Sequence, residues 1–126
     1  MKLQHYWRKY DVIAYIVLVA IIIGSFQPVN TMSVMMGSDK FYHAGAYMLL
    51  TFAFLWSRRK LNMKYWLFLI GLLILLGGLI EVLQPLLSPG RHRDMYDLVA
   101  NTTGIFLAVL CLLIGQRWRA RTSLKQ

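Results

Sequence analysis

YWLFLIGLLILLGGLIEVL, Tyr65 to Leu83, decides what kind of protein this is. It is apolar from end to end, and Glu81 is its sole charged residue. A run of about 20 apolar residues is what a helix needs to cross a bilayer. Gly71, Gly77 and Gly78 lie inside it, and small residues let neighbouring helices approach closely in lipid. Pro85 follows at once, so the helix is expected to stop there, with Gln84 pushed away from helical geometry.

Working outward, three more runs have the same character. Tyr10–Phe26 is apolar apart from Asp11, Gly24, Ser25 and its aromatic edge; Phe41–Trp56 and Leu98–Ile114 complete the set. None alternates with a period of two, and a four-stranded barrel cannot close in lipid, so strands are excluded. The expectation is an all-α membrane protein: one domain over residues 1–126, with four transmembrane helices in one bundle at about 10–26, 41–56, 65–83 and 97–114. Composition agrees, with 58% hydrophobic and 15% charged residues and a mean hydropathy of +0.52, against roughly 25% charged in soluble domains. The basic start followed by an apolar run also resembles a signal peptide, but Gly24-Ser25-Phe26-Gln27 lacks the small-x-small cleavage pattern, so an uncleaved first helix is expected.

The connections carry turn residues. Gln27–Ser38 contains Pro28, Asn30 and Gly37, and its Met32, Met35 and Met36 read as flexible apolar side chains at the interface rather than a soft-metal cluster. Ser38 or Asp39 suits the N-cap of the second helix. Ser88-Pro89-Gly90 is a tight loop. Cys111, alone in the chain and inside an apolar run, reads as a small buried apolar residue. Asn101-Thr102-Thr103 matches a glycosylation sequon but lies within a span and is rejected.

Charge fixes the expected orientation. Eleven of the fourteen Lys and Arg residues fall in the N-terminal segment, the loop between helices two and three, and the tail, leaving Lys40, Arg91 and Arg93 on the other side. The positive-inside rule places both termini in the cytoplasm. The net charge of +9 is therefore mainly an orientation signal, and no nucleic-acid partner is implied. Small multidrug transporters have similar length, but their dual-topology members lack this bias and carry a working carboxylate in helix one, where this chain has only Asp11 at the edge.

Four of the five acidic residues lie on the outer side. At about 100° per residue, Asp94, Asp97, Asn101 and Gly104 share an arc of roughly 80°, and Asp39, Lys40, His43 and Tyr47 one of roughly 100°. Glu81 and Gln84 are neighbours near the outer end of helix three. Polar groups facing lipid are costly, so these should face one another. Arg91 and Arg93 suit phosphate, with Lys40 as an added point charge. Glu81, Asp94, Asp97 and His43 suit proton sharing or a divalent cation; carboxylates favour Mg²⁺, Mn²⁺ or Ca²⁺ and imidazole favours Zn²⁺. No cofactor is identified, since neither a His-x-x-x-His pair nor a thiolate pair is present. The candidate catalytic groups are Glu81, His43 and Asp97; the candidate substrate-binding groups are Asp39, Lys40, Gln84, Arg91, Asp94 and Asn101. The opposing reading stays open: Asp39 as a cap, Lys40 and the loop arginines paired with Asp94 and Asp97, and Glu81 as interhelical glue. His92 reads as solvated, and His5 has no evident partner.

Asp39-Lys40-x-x-His43-x-x-x-Tyr47, Glu81-x-x-Gln84 and Arg91-x-x-Asp94-x-x-Asp97-x-x-x-Asn101-x-x-Gly104, in this order, resemble the VanZ-like family of small bacterial membrane proteins. The resemblance covers helices two to four and their outer loops, about half the chain; Arg93 is an extra basic residue beside it. It implies a bacterial inner-membrane protein with its polar site on the periplasmic or extracytoplasmic side. The partners it implies are membrane lipids or lipid-linked cell-wall precursors, with a link to glycopeptide (teicoplanin-type) susceptibility. It implies no particular reaction.

Overall fold

In the computed structural model the described residues are 2–27, 38–58, 62–88, 90 and 92–123, with side chains described from Lys9 onward and not for Ser38. They form four helices: α1 Lys2–Ser25, α2 Ser38–Ser57, α3 Met63–Leu87 and α4 Met95–Ser123. Among the described residues there is no strand. Two of the helices, α3 and α4, are long and apolar enough to cross a membrane. The 25 residues of α3 amount to about 37 Å of helix, longer than a hydrocarbon core of about 30 Å.

Every helix overruns its apolar run. The first begins at Lys2 and the fourth continues to Ser123, because Lys, Arg, Gln and Ala are good helix formers outside lipid as well as inside it. Asn62 caps α3, its side chain accepting from the Tyr65 N–H at 3.1 Å. The expected stop at Pro85 is wrong. Gln84 is helical, Pro85 lies inside α3, and the helix closes only when the Ser88 N–H donates to the Gln84 carbonyl at 2.9 Å. A proline this close to a C-terminus removes one hydrogen bond with little helix left to disrupt. Asp39 is not the cap of α2 either. It sits in the first turn, where a carboxylate favours the positive end of the helix dipole. The capping task at α4 falls to Asp94, just outside the helix. Its carboxylate accepts from the Tyr96 N–H at 2.8 Å and its carbonyl from the Asp97 N–H at 3.0 Å.

The helices run alternately up and down. At one end, Asp11 of α1 accepts from the Ser57 hydroxyl at 2.8 Å and from Arg58 at 2.6 Å. The Trp66 indole donates to the Arg58 carbonyl at 3.2 Å, and Arg119 of α4 lies over the Trp56 ring. At the other end the Gln84 amide donates to the Ser25 carbonyl at 3.1 Å, and the Ser88 hydroxyl reaches the carbonyls of Phe26 and Gln27. The central helix is α2, packed most extensively against α4 and next against α1, while α3 leans on α4.

The core is a column of Tyr47, Leu50, Leu55, Trp66, Leu73, Ile105 and Leu112. Outside it lies a belt of exposed apolar side chains, including Ile16, Leu49, Phe68, Leu75 and Phe106. Patches of that extent on a protein surface mark contact with lipid or another protein. Cys111 belongs to this outer belt and is exposed, contrary to expectation, because an apolar run that meets lipid need not be buried. Of the three glycines of α3, only Gly77 meets a neighbouring helix; a Cβ on Gly71 or Gly78 would touch nothing.

Candidate functional site

The polar residues gather where the N-terminal ends of α2 and α4 meet. Helical periodicity puts Lys40, His43 and Tyr47 of α2 on the face turned to α4, and Asp97, Asn101 and Gly104 of α4 on the face turned back. Gly104 makes the approach close: a Cβ there would run into the Ala44 carbonyl. On α3, a Cβ at Gly77 would stand 3.3 Å from Asn101 Nδ2 and 3.4 Å from the Tyr47 hydroxyl. Three helices thus meet around Asn101.

Within this junction the imidazole of His43 is central. Its Nδ1 is 3.1 Å from Asn101 Oδ1. An amide oxygen only accepts, so Nδ1 carries the hydrogen, and in the neutral ring Nε2 holds the lone pair. That Nε2 stands 3.7 Å from Asp39 Oδ1 and 3.7 Å from Asp97 Oδ2. Beside it, Lys40 Nζ donates to Asp94 Oδ2 at 2.9 Å, lies 3.6 Å from Asp97 Oδ1, and sits over the Tyr96 ring. Asp97 and Asn101 are buried.

The Lys40 ammonium bonded to it, helped by the Tyr96 N–H, holds the Asp94 carboxyl below the usual carboxylate range. A lowered carboxyl stabilises the fold fully above its unfolded value of about 3.9, and that contribution is lost as pH falls through the lower folded value. Asp94→Asn should therefore melt at a lower temperature than the parent at neutral pH, with the gap closing as pH is taken down through the carboxylate range. Identical melting at neutral pH would mean that the link adds nothing.

A cavity of about 430 Å³ opens beside the cluster, between α1 and α2. Asp39, His43 and Tyr47 line its polar part, and Val17, Ala20 and Ile21 of α1 are among its apolar walls. Sequence reading gave helix one almost no part in the site. The usable signal was Gly24-Ser25, a break in size at the level of the cluster; Ser25 is buried and both residues line the cavity.

The structure therefore brings together Asp39, Lys40, His43, Asp94, Asp97 and Asn101. Glu81 is buried on α3, one turn beyond Gly77. Gln84, expected among the substrate-binding groups, is 1% exposed and its amide is engaged with the end of α1. His92 and Arg93 are exposed. Arg91, the expected phosphate clamp, lies outside the described residues, as do the side chain of His5 and the methionines of the first loop.

Comparison of the chain with protein-family models, with curated proteins and with solved structures finds no match in any of the three. The fold and site define an all-helical bundle with an acid–base cluster at one end and an apolar cavity beside it.

Proposed function

We propose that this chain is a VanZ-like inner-membrane protein whose four helices all span the bilayer. Both termini are cytoplasmic, and the cluster faces the periplasmic or extracytoplasmic side, where it binds or modifies a lipid-linked envelope or cell-wall component. The charge distribution supports the orientation. The motif residues on α2, α3 and α4 support the family. The belt of exposed apolar residues on all four helices supports four spans, since water would not tolerate it.

One observation carries the functional reading: the cavity has apolar walls from α1 and α2 and a polar end built from Asp39, His43 and Tyr47. A ligand with an acyl or prenyl chain and a polar head has the same division. Glu81, His43 and Asp97 are the candidate reactive groups, and Arg91 and Lys40 are, by residue type, the candidate partners of an anionic head. Glycopeptide susceptibility is the corresponding cellular readout.

The test is binding of a labelled lipid-linked cell-wall precursor to the purified chain in nanodiscs. Saturable binding is expected, lost by at least tenfold in Asp97→Ala and Glu81→Ala with membrane insertion retained. Turnover of the precursor would make the protein an enzyme. A specific observation favours the rival reading, a structural or accessory subunit: the polar groups already pair among themselves, Lys40 with Asp94 and His43 with Asn101. Absence of both binding and turnover would establish that reading.

A further inference from the structure

We infer that Asp39, His43 and Asp97 hold a divalent transition-metal ion, Zn²⁺ or Mn²⁺, at the polar end of the cavity. One ligand atom from each lies within 4.8 Å of the others. The two His43–carboxylate separations of 3.7 Å are longer than a hydrogen bond. They are close to the edge of a coordination polyhedron, about 3.0–3.5 Å for metal–ligand bonds of about 2.0–2.2 Å. The separation between the two carboxylates lies within 4.8 Å, so the half-exposed Asp39 would move inward on binding.

Three further observations point to a cation. Asp97 is a carboxylate with a side chain only 8% exposed; its Oδ1 has no hydrogen bond among the described residues and lies 3.6 Å from Lys40 Nζ, which leaves Oδ2, 3.7 Å from His43 Nε2, as the oxygen turned to the site. The His43 ring is held from behind by Asn101, so the lone pair on Nε2 is aimed at the two carboxylates; a partner behind a ligating histidine is the usual way its tautomer is set. Charge also falls short of balance. Among the described residues, Lys40 pairs with Asp94 and Asp97 and His43 with Asp39 and Asp97, so with the imidazole neutral three carboxylates share one lysine, an excess of two negative charges that a divalent ion would offset. Imidazole with two carboxylates favours Zn²⁺ or Mn²⁺ over Mg²⁺ or Ca²⁺.

Asp39 and His43 also line the cavity, so the remaining coordination positions open into it. Three protein ligands with an open position is the arrangement of metal sites that take a substrate. Resting on the function proposed above, the ion would turn an acidic pocket into one that accepts an anionic head, with phosphate oxygen as its ligand.

The test uses the full chain in nanodiscs, stripped with chelator and titrated with Mn²⁺ by electron paramagnetic resonance and with Zn²⁺ against a chromophoric indicator. One ion per chain is expected. Affinity should fall at least tenfold in Asp39→Asn and in His43→Gln, and stay unchanged in Asp11→Asn at the opposite end of the bundle. Circular dichroism checks the fold of each variant; Asp39, with its side chain 43% exposed, can be changed without opening the core. No stoichiometric binding by the parent, or equal binding by parent and Asp39→Asn, overturns the site. Precursor binding measured with and without chelator separates the two proposals. Metal bound with no precursor binding defeats the function alone. Precursor bound equally in chelator, with no metal uptake, defeats the metal site alone.

Discussion

Gly104→Leu is expected to prevent α4 from seating on α2, and Gly104→Ala to cost about 1–3 kcal/mol through overpacking. Two effects oppose each other in the alanine variant. Alanine is the better helix former by about 1 kcal/mol. Against that, its Cβ would overlap the Ala44 carbonyl oxygen and lie 2.9 Å from the Ala44 carbonyl carbon and 3.0 Å from the Met48 nitrogen. These are backbone atoms in the middle of a helix, with no rotamer to escape into, so the collision should win. Gly71→Ala and Gly78→Ala meet nothing and should be neutral or slightly stabilising. Gly77→Ala falls between, since its nearest contacts are the ends of the Asn101 and Tyr47 side chains. Denaturation of the detergent-solubilised chain ranks all four. A Gly104→Ala protein as stable as the parent would mean that α2 and α4 are not this close.

The second large effect is expected at Lys40. Its ammonium is the cation between Asp94 and Asp97, and Asp97 is buried. Removing one partner of an ion pair strands the other charge, and here the 42% exposure of the Lys40 side chain lets solvent soften the loss, so Lys40→Met should melt at a measurably lower temperature than the parent in metal-free buffer. Lysine also competes with a metal for the same carboxylates. Lys40→Met should therefore bind Zn²⁺ more tightly than the parent, and saturating Zn²⁺ should return most of the lost stability. If Zn²⁺ returns none of it, Asp97 is not a ligand. If the variant is as stable as the parent without metal, the Lys40 link is only a surface contact.

The positions of the helices could be read from the sequence, but their ends could not. Apolar runs mark where a chain meets an apolar environment, whereas helix is decided by hydrogen bonding and propensity. Lys2–Lys9 and Arg117–Ser123 therefore extend helices that hydropathy ends early. Asn62 was a readable cap that the apolar pattern overshadowed. Pro85 misled because the rule against proline concerns helix interiors, and it stands three residues before the cap. The meeting of His43 with Asp97 and Asn101 was readable because each lies at a three- or four-residue spacing from its fellows, and polar groups on an apolar helix have a direction. The wall supplied by α1 showed in the sequence only at Gly24-Ser25, since the uniformly apolar stretch before them has no preferred face. The burial of Cys111 was misjudged for the same reason.

That wall has one more consequence. The first helix is fastened at two points, by Asp11 to Ser57 and Arg58 and by Ser25 to Gln84, and the cavity lies along the stretch between. Ile16, Tyr42 and Leu49 stand exposed at its margin. Under the function proposed above, a molecule anchored by a hydrocarbon tail would slip in sideways, like a book between two others on a shelf, with its tail never leaving the oily layer. Capture would then depend on how crowded such molecules are within the leaflet, and hardly at all on the volume of water outside.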